Sequence, residues 1–294
     1  MDKIIGLGNA LVDVLATLDS DEILTEMELP KGSMTLIDED KLLKINKYFS
    51  RMKTHQATGG SAGNAIRAMA QLGAGTGFIG KVNNDSYGRF FGESLLKHGT
   101  EANLLVSDTL PSGVASTFIS PDGERTFGTY LGAASTLKAE ELSLEMFKGY
   151  TYLFIEGYLV QEHDMILRAI ELAKEAGLQV CLDMASYNIV AGDHEFFSLL
   201  VNKYVDILKS ATPFPNTLSS PGSQKARKTR SIASSLPFPK KICSESTFLI
   251  LASSFFKSHC NGSGYRLCGR LYGFSLASRN TEAAAPLYSS RAEE

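Results

Sequence analysis

Tryptophan is absent from this chain and cysteine is scarce: Cys181, Cys243, Cys260 and Cys268 are the four, with no CxxC pair among them. That spacing supports neither a metal site nor a disulfide framework, and it fits free thiols in a reducing cytoplasm. No apolar stretch approaches the length that spans a bilayer. The opening Met1-Asp2-Lys3-Ile4-Ile5 has no basic region leading into an apolar run, so no secretory leader is expected. A formal net charge of -3 gives no reason to expect nucleic acid or a membrane surface as a partner. The sharpest absence is local. No aspartate follows Asp206, while residues 209–294 hold 17 serines, six of the nine prolines and three of the four cysteines. That segment carries twelve Lys or Arg against four Glu, a surplus of eight that leaves the first 208 residues near -11. One domain rarely changes character so sharply. The expected division is a core over 1–208 and an aberrant Ser/Pro/basic-rich tail over 209–294.

What is present centres on Thr58-Gly59-Gly60-Ser61-Ala62-Gly63-Asn64, a glycine cluster that runs into a helix expected over Asn64–Leu72 and stopped by Gly73. Glycines let a ligand lie against bare backbone, and the free N–H groups of a helix start attract oxygen-rich or anionic ligands. Asn64 adds a side chain that both donates and accepts. The residues leave two readings open here: a small-molecule site, or a tight turn before a core helix.

Along the chain, Lys3 to Leu7 reads as a buried strand ending in Gly6-Leu7-Gly8-Asn9, at the edge where open α/β sheets bind ligands. Asp13 lies in the otherwise apolar segment Ala10 to Leu18, so it either caps a turn or holds a ligand hydroxyl. Helices are expected over Asp21–Glu28, Asp38–Met52, Tyr87–His98, Glu162–Ala176 and Phe196–Asn202. Strands are expected over Met34–Ile37, Gly77–Val82, Tyr152–Ile155, Gln179–Asp183 and Tyr204–Leu208. Ser120-Pro121-Asp122-Gly123-Glu124 between two β-rich runs predicts a hairpin, Val114–Ile119 with Arg125–Leu131. Arg125 follows that turn and reads as a solvated hairpin charge. Asp183 is expected to cap its loop, and His163 and His194 are expected at the surface. Strands alternating with helices at this spacing imply a mostly parallel α/β sheet covered on both faces.

Gly59-Gly60-Ser61 with Asn64 and Gly73 resembles the first signature of the pfkB carbohydrate kinase family. Ile5-Gly6-Leu7-Gly8-Asn9-Ala10-Leu11-Val12-Asp13 is similar to the first strand and turn of its adenosine-kinase-like branch. Gly80-Lys81-Val82-Asn83-Asn84-Asp85 adds a partial match. The resemblance covers about residues 1–208 and implies a ribokinase-like architecture. A small β-sheet lid is implied, with pieces near 10–20, 33–38 and 112–131. It further implies an enzyme that transfers the γ-phosphate of ATP, with Mg2+, to a primary hydroxyl of a nucleoside or sugar. Adenosine is the first choice of acceptor, and fructose or another sugar stays open. Asn9, Asp13, Gly59, Gly60 and Asn64 would hold the ribose, with Arg125 over the site.

The resemblance stops where the family's phosphate chemistry begins. The expected Asn-x-x-Glu is replaced by Lys209-Ser210-Ala211-Thr212-Pro213-Phe214-Pro215. The Gly-Ala-Gly-Asp that forms an anion hole and supplies the base has only the echo Asn261-Gly262-Ser263-Gly264-Tyr265. A tyrosine there is a poor base at neutral pH. No catalytic or metal-ligating residue is therefore assigned. Turnover is expected to be impaired, and a non-catalytic nucleoside- or sugar-binding pseudokinase is the alternative. Cys268-Gly269-Arg270-Leu271 is what codons such as TAT GCG GCC GGC TTT, which encode a family-like Tyr-Ala-Ala-Gly-Phe run, give when read one base out of frame. A largely frame-shifted reading from about residue 209 is the favoured origin of the tail, and a divergent tail with its own role is the rival. Intact mass of the protein expressed from its own gene tests this. A value of 31.9 kDa establishes the tail as read; a different mass, with peptides containing Gly-Ala-Gly-Asp, shows it to be a reading error.

Overall fold

The computed structural model describes residues 2–209 and the pair 242–243. The remaining tail expectations, including Asn261–Tyr265, lie outside the described residues. In chain order the elements are β1 (Lys3–Leu7), β2 (Leu11–Thr17), α1 (Glu22–Glu26), β3 (Met34–Leu36), α2 (Glu39–Phe49) and β4 (Thr54–Thr58). Then come α3 (Ser61–Gln71), β5 (Gly75–Asn83), α4 (Ser86–Lys97), β6 (Thr100–Ser107), β7 (Gly113–Ile119) and β8 (Arg125–Tyr130). After three short 3-10 turns follow β9 (Tyr152–Glu156), α5 (His163–Glu175), β10 (Gln179–Asp183), α6 (Tyr187–Gly192), α7 (His194–Lys203), β11 (Ile207–Lys209) and β12 (Ile242–Cys243).

Seven strands form one sheet in the order β12-β11-β10-β9-β1-β5-β6, and every pairing in it is parallel. Its central strands are near-continuous apolar runs because both faces are covered. Ile5, Leu7, Leu153, Ile155, Val180 and Leu182 point to one side, against Met165, Ile166, Ala169, Ile170 and Ala173 of α5. Ile4, Phe78, Phe154 and Cys181 point to the other, against Ile66 of α3 and Phe91 and Leu95 of α4. The period-2 alternation of the strands thus feeds two cores at once.

The second sheet is smaller and mixed, β3-β8-β7-β2-β4. Val12, Val14, Ala16, Val114 and Phe118 send one face into a core shared with Ile23 and Leu24 of α1 and Leu42, Ile45 and Phe49 of α2. The register pairs Asp13 with Ala57 and Ala115, and Met34 with Phe127, on the opposite face. The Pro-Asp-Gly hairpin closes through Gly123 N–H to Ser120 O at 2.8 Å and Ser120 N–H to Glu124 O at 2.9 Å. Lys31 ties the hairpin tip to α1, with Nζ 2.6 Å from both Asp122 and Asp21.

Several boundaries differ from the sequence expectation, each for a visible reason. Helix α3 begins at Ser61, three residues before Asn64, with Gly60 as its N-cap. Strand β11 starts only at Ile207, because the Tyr204 and Val205 N–H groups both bond Leu200 O and finish α7. Strand β6 was not foreseen: it is a sheet edge, so it lacks the apolar run of its neighbours. Thr54–Thr58 is likewise a full strand rather than a lead-in.

Phe78 is fully buried, packs 5.4 Å (centroid to centroid) from Phe91, and stands behind the helix that carries the glycine cluster. Phe78→Ala is expected to cost about 3–5 kcal/mol of unfolding free energy, read from the midpoint of urea denaturation.

Candidate functional site

The carboxyl ends of β1, β9 and β10 lie side by side, and each delivers a polar residue: Asn9 just past β1, Glu156 and Asp183. Only Gly8, Asn9 and Ala10 separate β1 from β2, so the chain leaves the large sheet and enters the small one at this point. It returns at the end of β4, where Gly59 and Gly60 lead into α3.

Glu156 is the hub. It is buried, and its Oε1 accepts from the Asn9 backbone N–H at 2.9 Å and from Asn9 Nδ2 at 2.7 Å. Its Oε2 accepts from the Ala62 N–H at 2.8 Å, in the first turn of α3. A carboxylate at a helix start meets both an orphan donor and the positive end of the helix dipole. Burial pushes the Glu156 carboxyl upward, the bonds from Ala62 and Asn9 pull it back, and the nearby Asp183 charge adds to the net rise. Because Nδ2 faces Glu156, Asn9 keeps Oδ1 as its open acceptor among the described residues.

Two glycines are required by contact. A Cβ on Gly60, whose φ is +76°, would stand 2.3 Å from Asn9 O. One on Gly59 would stand 2.1 Å from Asp13 Oδ1. The Asp13 carboxylate therefore lies directly on the glycine turn. It is largely removed from solvent, and no hydrogen bond engages it among the described residues. Burial lifts its pKa to about 6, and the positive charges of Arg67 and then Arg125 work against that rise.

Of the residues singled out from sequence, Asn9, Asp13, Gly59, Gly60 and Asn64 are brought together by these crossings. Asn64 sits in the second turn of α3, its Oδ1 accepting from Arg67 Nη2 at 3.1 Å. Arg125 opens β8 opposite Ile119, exposed to solvent, and reaches the group through its charge on Asp13. Asp183 accepts from the Ala185 N–H at 3.3 Å as an expected loop cap, and also from Ser61 Oγ at 3.1 Å and Lys209 Nζ at 2.7 Å. His163 is exposed, as expected, where it stacks on Phe196 and bonds Asp193.

Sequence reasoning missed Glu156 and Arg67. An acidic residue closing the apolar run Leu153-Phe154-Ile155 was the available signal for the first. Arg67 was marked by its place one helical turn after Asn64. Among the described residues no group of three His, Cys, Asp or Glu fits a metal ion.

Residues 37–209 match the family described as pfkB family carbohydrate kinase. Guanosine-inosine kinase of Escherichia coli (strain K12) is 26% identical over 217 residues, which is 70% of this chain and 50% of that protein. Fructokinase-1 of Zea mays is 32% identical over 134 residues, 44% of this chain and 42% of its own. The crystal structure of adenosine kinase from Sinorhizobium meliloti superposes with a TM-score of 0.64 at 30% identity, over 71% of this chain and 64% of that one. The chain spans about half the length of the curated relatives it matches.

Glu156→Ala leaves three donors without their acceptor, at about 1–3 kcal/mol each where they stay dry. Glu156→Gln keeps one acceptor oxygen and is expected to cost less. Urea denaturation of both variants checks the order, and equal costs would refute the hub role.

Proposed function

The chain belongs to the pfkB family of carbohydrate kinases and has its ribokinase-like α/β fold; on that premise we propose that residues 1–209 form the acceptor half of a nucleoside kinase site, suited to adenosine ahead of a simple sugar. The reaction the family implies moves the γ-phosphate of ATP, with Mg2+, onto a primary hydroxyl. Such transfer rests on positioning and electrostatics more than on covalent chemistry.

The observation that carries the reading is the state of Asp13: a partly buried carboxylate with no hydrogen-bond partner among the described residues, set against bare glycine backbone. Two adjacent ribose hydroxyls satisfy it by donating. Asn9 Oδ1 offers a further acceptor, and Asn64 Nδ2 a donor. The preference for a nucleoside is supported by the face on which Asp13 stands. Leu15, Phe127, Met34 and Leu36 share it by register, and Met34 and Leu36 are exposed. An aromatic base laid there covers apolar surface that a lone sugar leaves wet. The resemblance to fructokinase keeps a hexose as the second reading for the same hydroxyl partners.

Turnover needs a base for the hydroxyl proton and an anion hole for the phosphoryl group. The sequence holds no aspartate after Asp206 to act as that base. The chain is therefore read as a nucleoside binder with impaired or no phosphoryl transfer. The same absence favours the pseudokinase reading.

Calorimetry with adenosine and with fructose is the test. Adenosine is expected to bind and fructose to bind more weakly. Asp13→Ala is expected to weaken adenosine binding about 10- to 100-fold, the range for a hydrogen bond to a charged group. Only ionised Asp13 accepts from both hydroxyls, so affinity rises with pH through about 6. Absence of binding overturns the acceptor site, and adenosine-dependent release of ADP overturns the impairment.

A further inference from the structure

We infer that Arg67 is a positioning residue that sets the hydrogen-bonding polarity of the acceptor site, turning Asn64 so that it donates and holding Asp13 in its accepting form; the inference rests on the nucleoside reading above. Arg67 lies on α3 one turn beyond Asn64. Its guanidinium forks: Nη1 donates to Thr58 Oγ1 at 2.7 Å and Nη2 to Asn64 Oδ1 at 3.1 Å. Arginine has no acceptor and does not lose its charge, so the amide atom facing it must be the oxygen. Asn64 then keeps both Nδ2 hydrogens for a ligand. Without that contact the amide is free to turn over and present its oxygen instead.

The other arm fixes where the charge sits. Thr58 is buried at the end of β4, immediately before Gly59. The fork is thus anchored next to the backbone on which Asp13 lies. Four elements face Asp13. Strand β4 brings Ala57 opposite it and His55 two residues along the same face. Strand β7 brings Ala115 and Thr117. Strand β8 brings Arg125, and α3 brings Arg67. Of the two arginines, Arg67 is half-buried and Arg125 is exposed and screened, so Arg67 opposes the burial of Asp13 more strongly. Protonated Asp13 would donate from one oxygen, where a ribose diol needs two acceptors.

The experiment follows the Asp13 carboxyl by 13C NMR titration and adenosine binding by calorimetry, both across pH 5–8, on the full chain. Arg67→Met is expected to raise the Asp13 midpoint by about one unit. The midpoint of adenosine binding should move with it, so affinity should fall about twofold at pH 7 and about tenfold at pH 5, following the ionised fraction of Asp13. Arg67→Lys is expected to keep the midpoint while weakening binding, since an ammonium does not reproduce the fork. Arg125→Met is expected to shift the midpoint less than Arg67→Met. Should Arg67→Met not melt cooperatively, Arg67→Gln, neutral yet still able to donate, carries the same midpoint expectation. A merely structural role would lower affinity equally at every pH. An Asp13 midpoint unchanged in the neutral variants overturns the inference. That readout needs no ligand, so it stands even where the wild type fails to bind adenosine, an outcome that overturns the nucleoside reading alone.

Discussion

One buried carboxylate holds this site together. Glu156 ends a central strand of the large sheet and is bonded by the joint between the two sheets and by the first turn of α3. None of these segments could be displaced alone without leaving a donor or acceptor unpaired in a dry place. The glycine turn, the orientation of Asn9 and the start of α3 are therefore one unit. The apolar strands on either side exclude water from it, which makes both the bonds and their loss consequential.

Much of the fold was legible because its main signals are local. Apolar runs such as Leu153-Phe154-Ile155 and Val180-Cys181-Leu182 can be covered on both faces only in a parallel sheet, and the Pro-Asp-Gly turn dictates its hairpin. What was not legible depends on partners far away in sequence. Strand β6 exists because β5 pairs it, despite its mixed composition. Helix α3 starts at Ser61 because Glu156, some ninety residues on, takes its Ala62 N–H. The site divides the same way. Asn9, Asp13, Gly59, Gly60 and Asn64 announce themselves by residue type and family spacing. Glu156 and Arg67 act on those residues rather than toward a ligand, and single-residue reasoning has no handle on an intermediary.

Asp13 and Glu156 illustrate how position sets the task of a carboxyl. Glu156 is fully buried and Asp13 partly so. Glu156 has its oxygens filled by three donors from the protein, which makes it a fastener. Among the described residues Asp13 has none and is balanced only by the charges of Arg67 and Arg125, which under the proposed function leaves its capacity to a ligand. An acid that folding alone had to satisfy would look like the first; the second is an unfavourable placement unless a ligand completes it.

The three-residue passage from β1 to β2 has a further meaning for how this chain can vary. Asn9 stands inside it, with the large sheet on one side and the small sheet on the other, and there is no slack to absorb an added or lost residue. Lengthening the hairpin tip around Pro121–Gly123 would alter a loop that faces solvent. Lengthening Gly8–Ala10 by one residue would flip every later side chain of β2 to the opposite face, sending Asp13 into the apolar core and Val12 out of it. In this chain the spacing between the first strand and its aspartate is as much a part of the site as the aspartate itself.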